Sequence, residues 1–236
     1  HAALQREIDL VKAMAETEEM FLTTTAPASF EPYYRNEYYG SQDAFIFGMA
    51  EALKSEYRMI ADAGLVLQVD DAWLPATWDR TGIEMGLEGY RKWCQVRIEA
   101  LNHALDGIPE DQIRYHLCWG SWHGPHAYDI ELAHIVDIML SVNAGAYLIE
   151  AANARHEHEY VVWDDVELPY GKILIPGVVL LWPLVLWRWW WLERAAEDRR
   201  GRSTLWAMPP RLARSSRAKR VMTSQYGRMT LCRPRR

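Results

Sequence analysis

The stretch that decides the fold is residues 65–71, LVLQVDD, in which a run of apolar residues ends on two aspartates. Two later stretches have the same form, namely IRYHLC at residues 113–118 and AYLIE at residues 146–150. Short apolar runs that alternate with longer segments of helical periodicity are typical of repeated β/α units. The sequence therefore predicts an α/β fold with a parallel sheet.

The segments around these runs complete the predicted order of elements. Ser41 or Asp43 is expected to cap a helix that Gly64 terminates. The full prediction is a helix at 2–20, strand 21–25, a helix up to 63, strand 65–69, helix 87–105, strand 113–118, helix 130–142, and strands 146–149 and 173–178. In this order Asp70, Cys118 and Glu150 end successive strands, where (β/α)8 barrels carry their chemistry. We therefore expect an incomplete (β/α)8 TIM barrel, with its later units present and its last units missing or replaced.

Length and cysteine content limit the class of protein. The chain has 236 residues, of which half are hydrophobic, so one large domain is favoured over two small ones. Its three cysteines are an odd number without framework spacing, which argues against a disulfide scaffold and for a cytoplasmic location. The first residue is His1, and no leader pattern follows it, so we expect the chain to begin inside a longer gene product.

The charge is distributed unevenly along the chain. Residues 182–236 hold thirteen arginines and one lysine against three acidic residues, a charge of +11, which leaves −17 for the rest of a chain whose total is −6. Six of the twelve tryptophans also lie there. We therefore predict a catalytic domain at 1–178 and a tail at 179–236 that is not a native domain. Its Arg-, Trp- and Pro-rich composition is expected of a GC-rich gene read out of frame.

The tail also offers a second hypothesis of a different class, a membrane- or nucleic-acid-associated protein. Residues 173–192, ILIPGVVLLWPLVLWRWWWL, are about long enough to span a bilayer, and the basic stretch after them could bind a membrane surface or nucleic acid. Two prolines, a glycine and Arg188 interrupt the apolar run, which argues against a membrane helix. We expect neither a membrane nor a nucleic-acid partner.

Three residues form a candidate metal site. His116 and Cys118 are two apart on a predicted strand, so their side chains leave the same face, and Glu150 ends the following strand. Imidazole, thiolate and carboxylate suit Zn²⁺, and three protein ligands with one open position are typical of catalytic zinc. A His-x-Cys pair alone is more often a packed cysteine beside an ordinary histidine, so the spacing by itself leaves both interpretations open.

Further polar and aromatic residues lie near these candidates in the sequence. His156 and His158, in RHEHE at 155–159, are rival ligands, second-layer groups, or part of a solvated loop. Trp119, Trp122 and His123 either line the mouth of a pocket or serve in packing.

Two longer stretches carry a family resemblance. RYHLCWGSWHGPH from Arg114 and YLIEAANARHEHE from Tyr147 resemble the cobalamin-independent methionine synthase (methionine synthase II) family. The resemblance implies that His116, Cys118 and Glu150 are zinc ligands. LQVDDAW around Asp70 is similar to the family's QIDEP, whose Asp holds the amino group of homocysteine, and TTAP at 24–27 resembles its TGP segment beside the folate site.

The resemblance also implies a reaction. The family transfers a methyl group from 5-methyltetrahydrofolate polyglutamate to the thiol of homocysteine, so the expected partners are a small thiol and a methyl-folate donor, with Zn²⁺ as cofactor. Asp71 and Ala72 depart from the family pattern, which leaves another small thiol such as coenzyme M as an alternative. The family's second cysteine ligand and its proton-donating histidine have no counterpart here, since Cys232 in TLCRPRR does not resemble the family's Asp-Cys-Gly turn. The catalytic residue is thus unassigned, and we expect an out-of-frame chain to be inactive.

Overall fold

The protein is described by a computed structural model that covers residues 1–17, 19–120, 126–153 and 155–177. Helices and strands alternate along this part of the chain, as the sequence predicts. The helices are α1 (Ala2–Met14), α2 (Gln42–Asp62), α3 (Ile83–Leu105), α4 (Val136–Leu140) and α5 (Val162–Asp165), and the strands are β1 (Phe21–Thr25), β2 (Val66–Asp71), β3 (Ile113–Leu117), β4 (Ala146–Glu150) and β5 (Ile173–Gly177).

The five strands form one parallel sheet in the order β1-β2-β3-β4-β5. The register aligns Asp70 with His116, and Glu150 with Gly177. The predicted α/β class and the parallel pairing of the strands at 65–69 and 113–118 are confirmed. A strand order that follows the chain without reversal is that of a (β/α)8 barrel and differs from that of a doubly wound sheet. Closure of the sheet into a barrel is not seen in the described residues.

The two faces of the sheet differ in chemistry. One face is apolar and fully buried beneath the helices, and its side chains include Leu67, Val69, Tyr115, Tyr147 and Ile149. The opposite face carries polar groups, most of them only half-buried, among them Gln68, Asp70, Arg114, His116 and Glu150. Because side chains alternate along a strand, the polar residues that the sequence singled out share this second face.

The helix ends differ from the predicted bounds in three places, of which the first is the start of α3 at Ile83 instead of residue 87. The predicted helix at 2–20 ends at Met14, because Ala15 adopts an extended conformation. The predicted helix at 130–142 is reduced to a 3-10 turn, Leu132–His134, and the short α4, with Ile135 between them in a non-helical conformation. Helix α2 begins as expected, since the Ser41 side chain accepts a hydrogen bond from the amide of Ala44, and Gly64 follows its end with a φ of 78°.

The whole of the predicted tail, residues 179–236, lies outside the described residues. Residues 173–177 of the apolar run form β5, and 178–236 are not described. None of the helices in the described ranges is long and apolar enough to cross a membrane.

Candidate functional site

Strand register brings the predicted site residues to one edge of the sheet. Asp70 on β2 lies beside His116 on β3, and Glu150 is the last residue of β4. Cys118 directly follows β3, and its amide donates to the carbonyl of Asp71, which continues the β2–β3 ladder by one residue. The four side chains therefore lie at the carboxyl end of three neighbouring strands.

The four residues are arranged as two pairs. His116 Nδ1 lies 2.7 Å from Asp70 Oδ1, and Cys118 Sγ lies 3.9 Å from Glu150 Oε1. His116 and Glu150 are both about four-fifths buried, with side-chain exposures of 23% and 22%. Both side chains thus remain accessible to a ligand from solvent although most of their surface is buried.

The site is electrostatically negative around a buried thiol. Burial is the main reason that the pKa of Cys118 is raised to about 12. The carboxylates of Glu150 and Asp70 also raise this pKa, whereas the amide of Gly120, which donates a hydrogen bond to the sulfur, lowers it. The thiol is therefore protonated at neutral pH unless a cation lies beside it. A bound metal ion reverses this balance, because a coordinating thiol loses its proton.

The donor set fits zinc in chemistry and partly in geometry. Ligand distances of about 2.3 Å to sulfur and 2.0 Å to oxygen place two tetrahedral ligands roughly 3.5 Å apart, close to the observed Cys118–Glu150 separation. No group of three His, Cys, Asp or Glu side chains in the described residues is gathered tightly enough to hold a metal ion. His116 turns its Nδ1 toward Asp70, so Nε2 is the nitrogen that remains for a metal.

Asp71 has a different position from Asp70. It lies on the helix-covered face, only 1% exposed, and accepts hydrogen bonds from the hydroxyl of Tyr115 at 3.0 Å and the amide of Leu74 at 3.1 Å. Burial raises the pKa of Asp71 to about 6, against the lowering effect of those two hydrogen bonds. Asp71 thus supports the loop after β2 and does not face the candidate site.

Asn153 contacts Glu150, and the sequence did not single it out. The residue is 6% exposed, and its Nδ2 donates to Glu150 Oε2. Arg155 adds a more distant cationic contact, with Nη2 at 4.0 Å from the same oxygen. The signal in the sequence is an amide side chain three residues after the candidate ligand, which is too common a pattern to stand out.

The RHEHE segment divides between two environments. His156 is buried, its Nδ1 lies 2.9 Å from Glu159 Oε2, its Nε2 lies 3.3 Å from Asp129 Oδ2, and its ring packs on Trp119 at 4.3 Å. His158 is exposed. The solvated-loop interpretation therefore holds for His158 and is wrong for His156, whose two nitrogens face carboxylates rather than Cys118.

Of the two interpretations of the aromatic residues after β3, lining a pocket mouth or packing, packing holds for Trp119. Trp119 is 1% exposed, and its Nε1 donates to the carbonyl of Ile130 at 2.8 Å, so it belongs to the core. Trp122 and His123 lie within 121–125, outside the described residues.

The TTAP segment, residues 24–27, lies at the end of β1 beside Asp70. The backbone carbonyl of Asp70 accepts a hydrogen bond from the amide of Ala26 at 2.9 Å.

The fold and the site together define an α/β protein with a parallel sheet and a polar cluster at the carboxyl ends of its strands. Its sequence is similar to those of proteins named methionine synthase. A methionine synthase of Sulfurisphaera tokodaii is 26% identical over 117 residues, 49% of this chain and 30% of that protein. A methionine synthase of Saccharolobus solfataricus is 26% identical over 132 residues, 55% of this chain and 36% of that protein. The chain thus spans about a third of these relatives. No protein-family model matches it.

Proposed function

We propose that this chain carries the thiol-activating site of a zinc-dependent methyltransferase, which transfers a methyl group from a 5-methyltetrahydrofolate donor to homocysteine and so makes methionine. The observation that carries the proposal is the contact between Cys118 and Glu150 on the same strand edge as His116. The distant similarity to proteins named methionine synthase supports the same reaction class.

Each polar residue of the edge has a role in this proposal. His116, Cys118 and Glu150 would hold Zn²⁺, His116 through Nε2 because Nδ1 faces Asp70. When bound, the metal would lower the pKa of the substrate thiol, so that its thiolate is available at neutral pH to attack the methyl carbon. The donor's leaving nitrogen would take up a proton, for which the described residues offer no assigned group.

Asp70 would bind the amino group of homocysteine. Its side chain is 37% exposed, and Oδ1 faces His116, so Oδ2 is the oxygen that would accept from the substrate ammonium group. One carboxylate would then both orient a metal ligand and position the substrate.

The identity of the thiol depends on the surface that faces the site. The departure from the family pattern at Asp71 lies on the covered face of β2, where it contacts Tyr115 and Leu74. It alters the support beneath Asp70 rather than the surface that a thiol would touch. The departure at Asp71 therefore gives no reason to prefer coenzyme M over homocysteine.

A thiol-alkylation assay tests the proposal. The 236-residue chain, and a version with the reading frame restored after residue 178, are loaded with zinc and assayed with a methyl-folate donor and either homocysteine or coenzyme M. We expect the restored protein to methylate homocysteine, and Cys118→Ser to abolish the reaction while Cys94→Ala, in the helix layer, retains it. Methylation of neither thiol would contradict the proposal.

A further inference from the structure

Glu150 is held by a residue that also organises the loop after β4. Asn153 donates from Nδ2 to Glu150 Oε2, and its Oδ1 accepts from the amides of Arg155 at 3.0 Å and His156 at 2.8 Å. Its backbone carbonyl accepts from the amide of Glu157 at 2.8 Å. A single asparagine therefore links the end of β4 to the start of the next turn.

The loop is in turn fixed to the protein core. His156 Nδ1 lies 2.9 Å from Glu159 Oε2, and Glu159 Oε1 accepts a hydrogen bond from the amide of Leu132 at 2.6 Å. These three residues are each less than 10% exposed. Because both ends of this connection are buried, the side chain of Asn153 has little freedom to leave Glu150.

The two oxygens of Glu150 consequently have different partners. Oε2 faces the amide of Asn153, whereas Oε1 faces the sulfur of Cys118 at 3.9 Å. A carboxylate that binds a metal through one oxygen is oriented by a donor on the other, and such outer partners tune metal affinity.

We infer that Asn153 is a positioning residue that holds Glu150 with Oε1 directed at Cys118, so that Glu150 presents one oxygen to a metal ion. The inference rests on the proposed function, since it assumes that Glu150 is a ligand. Asn153 acts through Glu150 and touches neither the metal nor the substrate.

A double-mutant cycle on metal affinity tests this role. The full chain and the variants Asn153→Ala, Glu150→Ala and the double variant are titrated with Co²⁺, and binding is followed by the charge-transfer absorbance of the thiolate. Loss of an outer partner typically costs about 10- to 100-fold in affinity, so we expect a weakening in that range for Asn153→Ala. In the Glu150→Ala background the same substitution is expected to change the affinity less than about twofold, since removal of Glu150 removes the path through which Asn153 acts.

Two further variants separate positioning from loop structure. Asn153→Ser keeps a hydroxyl that can accept from the loop amides but is too short to reach Glu150, so it is expected to weaken binding as Asn153→Ala does. Asn102→Ala is the matched control: Asn102 also donates to a carbonyl, of Ser141 at 2.9 Å, and accepts from an amide, of Asn143 at 2.8 Å, away from the site. It should lower the thermal midpoint of unfolding and leave Co²⁺ affinity unchanged.

The possible outcomes distinguish a failure of the positioning role of Asn153 from a failure of the proposed metal site. An equal loss of affinity from Asn153→Ala in both backgrounds, or wild-type affinity in Asn153→Ser, would overturn the positioning role alone. A wild-type chain that binds no Co²⁺, or a Glu150→Ala variant that binds it as well as the wild type, would overturn the metal site itself.

Discussion

Asp70 and Asp71 show how one position along a strand changes the role of a carboxylate. Asp70 lies on the half-open face beside His116, whereas Asp71 lies on the buried face against Tyr115. Burial raises the pKa of Asp71 to about 6 from its ordinary value of 3.8. The folded protein therefore binds a proton there more tightly than the unfolded chain does.

This difference predicts a pH-dependent effect of Asp71→Asn. Between about pH 4 and pH 6 the folded wild type holds more protons than the unfolded chain, so Asp71 makes the protein less stable as the pH rises through this window. The full difference amounts to about 3 kcal/mol, an upper limit. We expect the free energy of unfolding of Asp71→Asn, relative to the wild type, to increase by up to that amount from pH 4 to pH 7, as measured by urea denaturation.

The control for this measurement removes the same charge from an exposed position. Asp62→Asn, at the exposed end of α2, should show a much smaller change with pH. If the two variants followed the same pH dependence, burial would not be the cause.

Sequence patterns predicted the residues of the candidate site better than the contacts between them. The two-residue period of a strand placed His116 and Cys118 on one face, and the strand ends placed Asp70 and Glu150 beside them. Asn153 was missed because its contact depends on the path of a loop, which no periodicity encodes. The burial of His156 was missed for the same reason, since its partner Asp129 comes from a distant segment.

At the scale of the elements, every strand end was predicted to within two residues, whereas the bounds of three helices differed by more. A strand ends where its ladder ends, and the apolar runs mark this closely. Helix ends depend on local backbone geometry, as at Ala15, which ends α1, and at Ile135, which separates a 3-10 turn from α4. Most apolar residues of 130–142 are buried all the same, so the sequence indicated the burial of this segment but not its conformation.

Gly145, directly before β4, lies close to the backbone that leads into β3, and this makes it sensitive to substitution. A Cβ atom at this position would lie 2.6 Å from the carbonyl oxygen of Glu110 and 3.0 Å from the Cα of Asp111, both backbone atoms that cannot move alone. We expect Gly145→Ala to lower the free energy of unfolding by about 1–3 kcal/mol. Chemical denaturation provides the measurement.

Gly89 provides the matched control for this prediction. It lies within α3, where an added Cβ would meet only the Cβ of Met85, at an ordinary contact distance of 3.5 Å. Gly89→Ala should leave the stability unchanged or raise it by about 0.5–1 kcal/mol, because alanine favours a helix over glycine. Equal losses in the two variants would contradict the argument from close approach.

At the scale of the whole molecule, the alternation of β and α segments determined the sheet but not its closure. Five parallel strands in chain order, with helices on one face and polar groups on the other, match the arrangement of part of a (β/α)8 barrel, in which the polar face would line the interior. Periodicity predicts each unit separately. A closed barrel would need more strands than the five that the described residues form, so the barrel and the nature of residues 179–236 stay predictions.

The central claim is that Cys118 supplies a sulfur ligand to zinc, and zinc K-edge X-ray absorption on the zinc-loaded full chain tests it most directly. The account predicts one sulfur at about 2.3 Å with nitrogen and oxygen ligands at about 2.0–2.2 Å. The sulfur should vanish in Cys118→Ser and persist in Cys94→Ala. A wild-type spectrum with nitrogen and oxygen ligands alone, or a sulfur that persists in Cys118→Ser, would contradict the account.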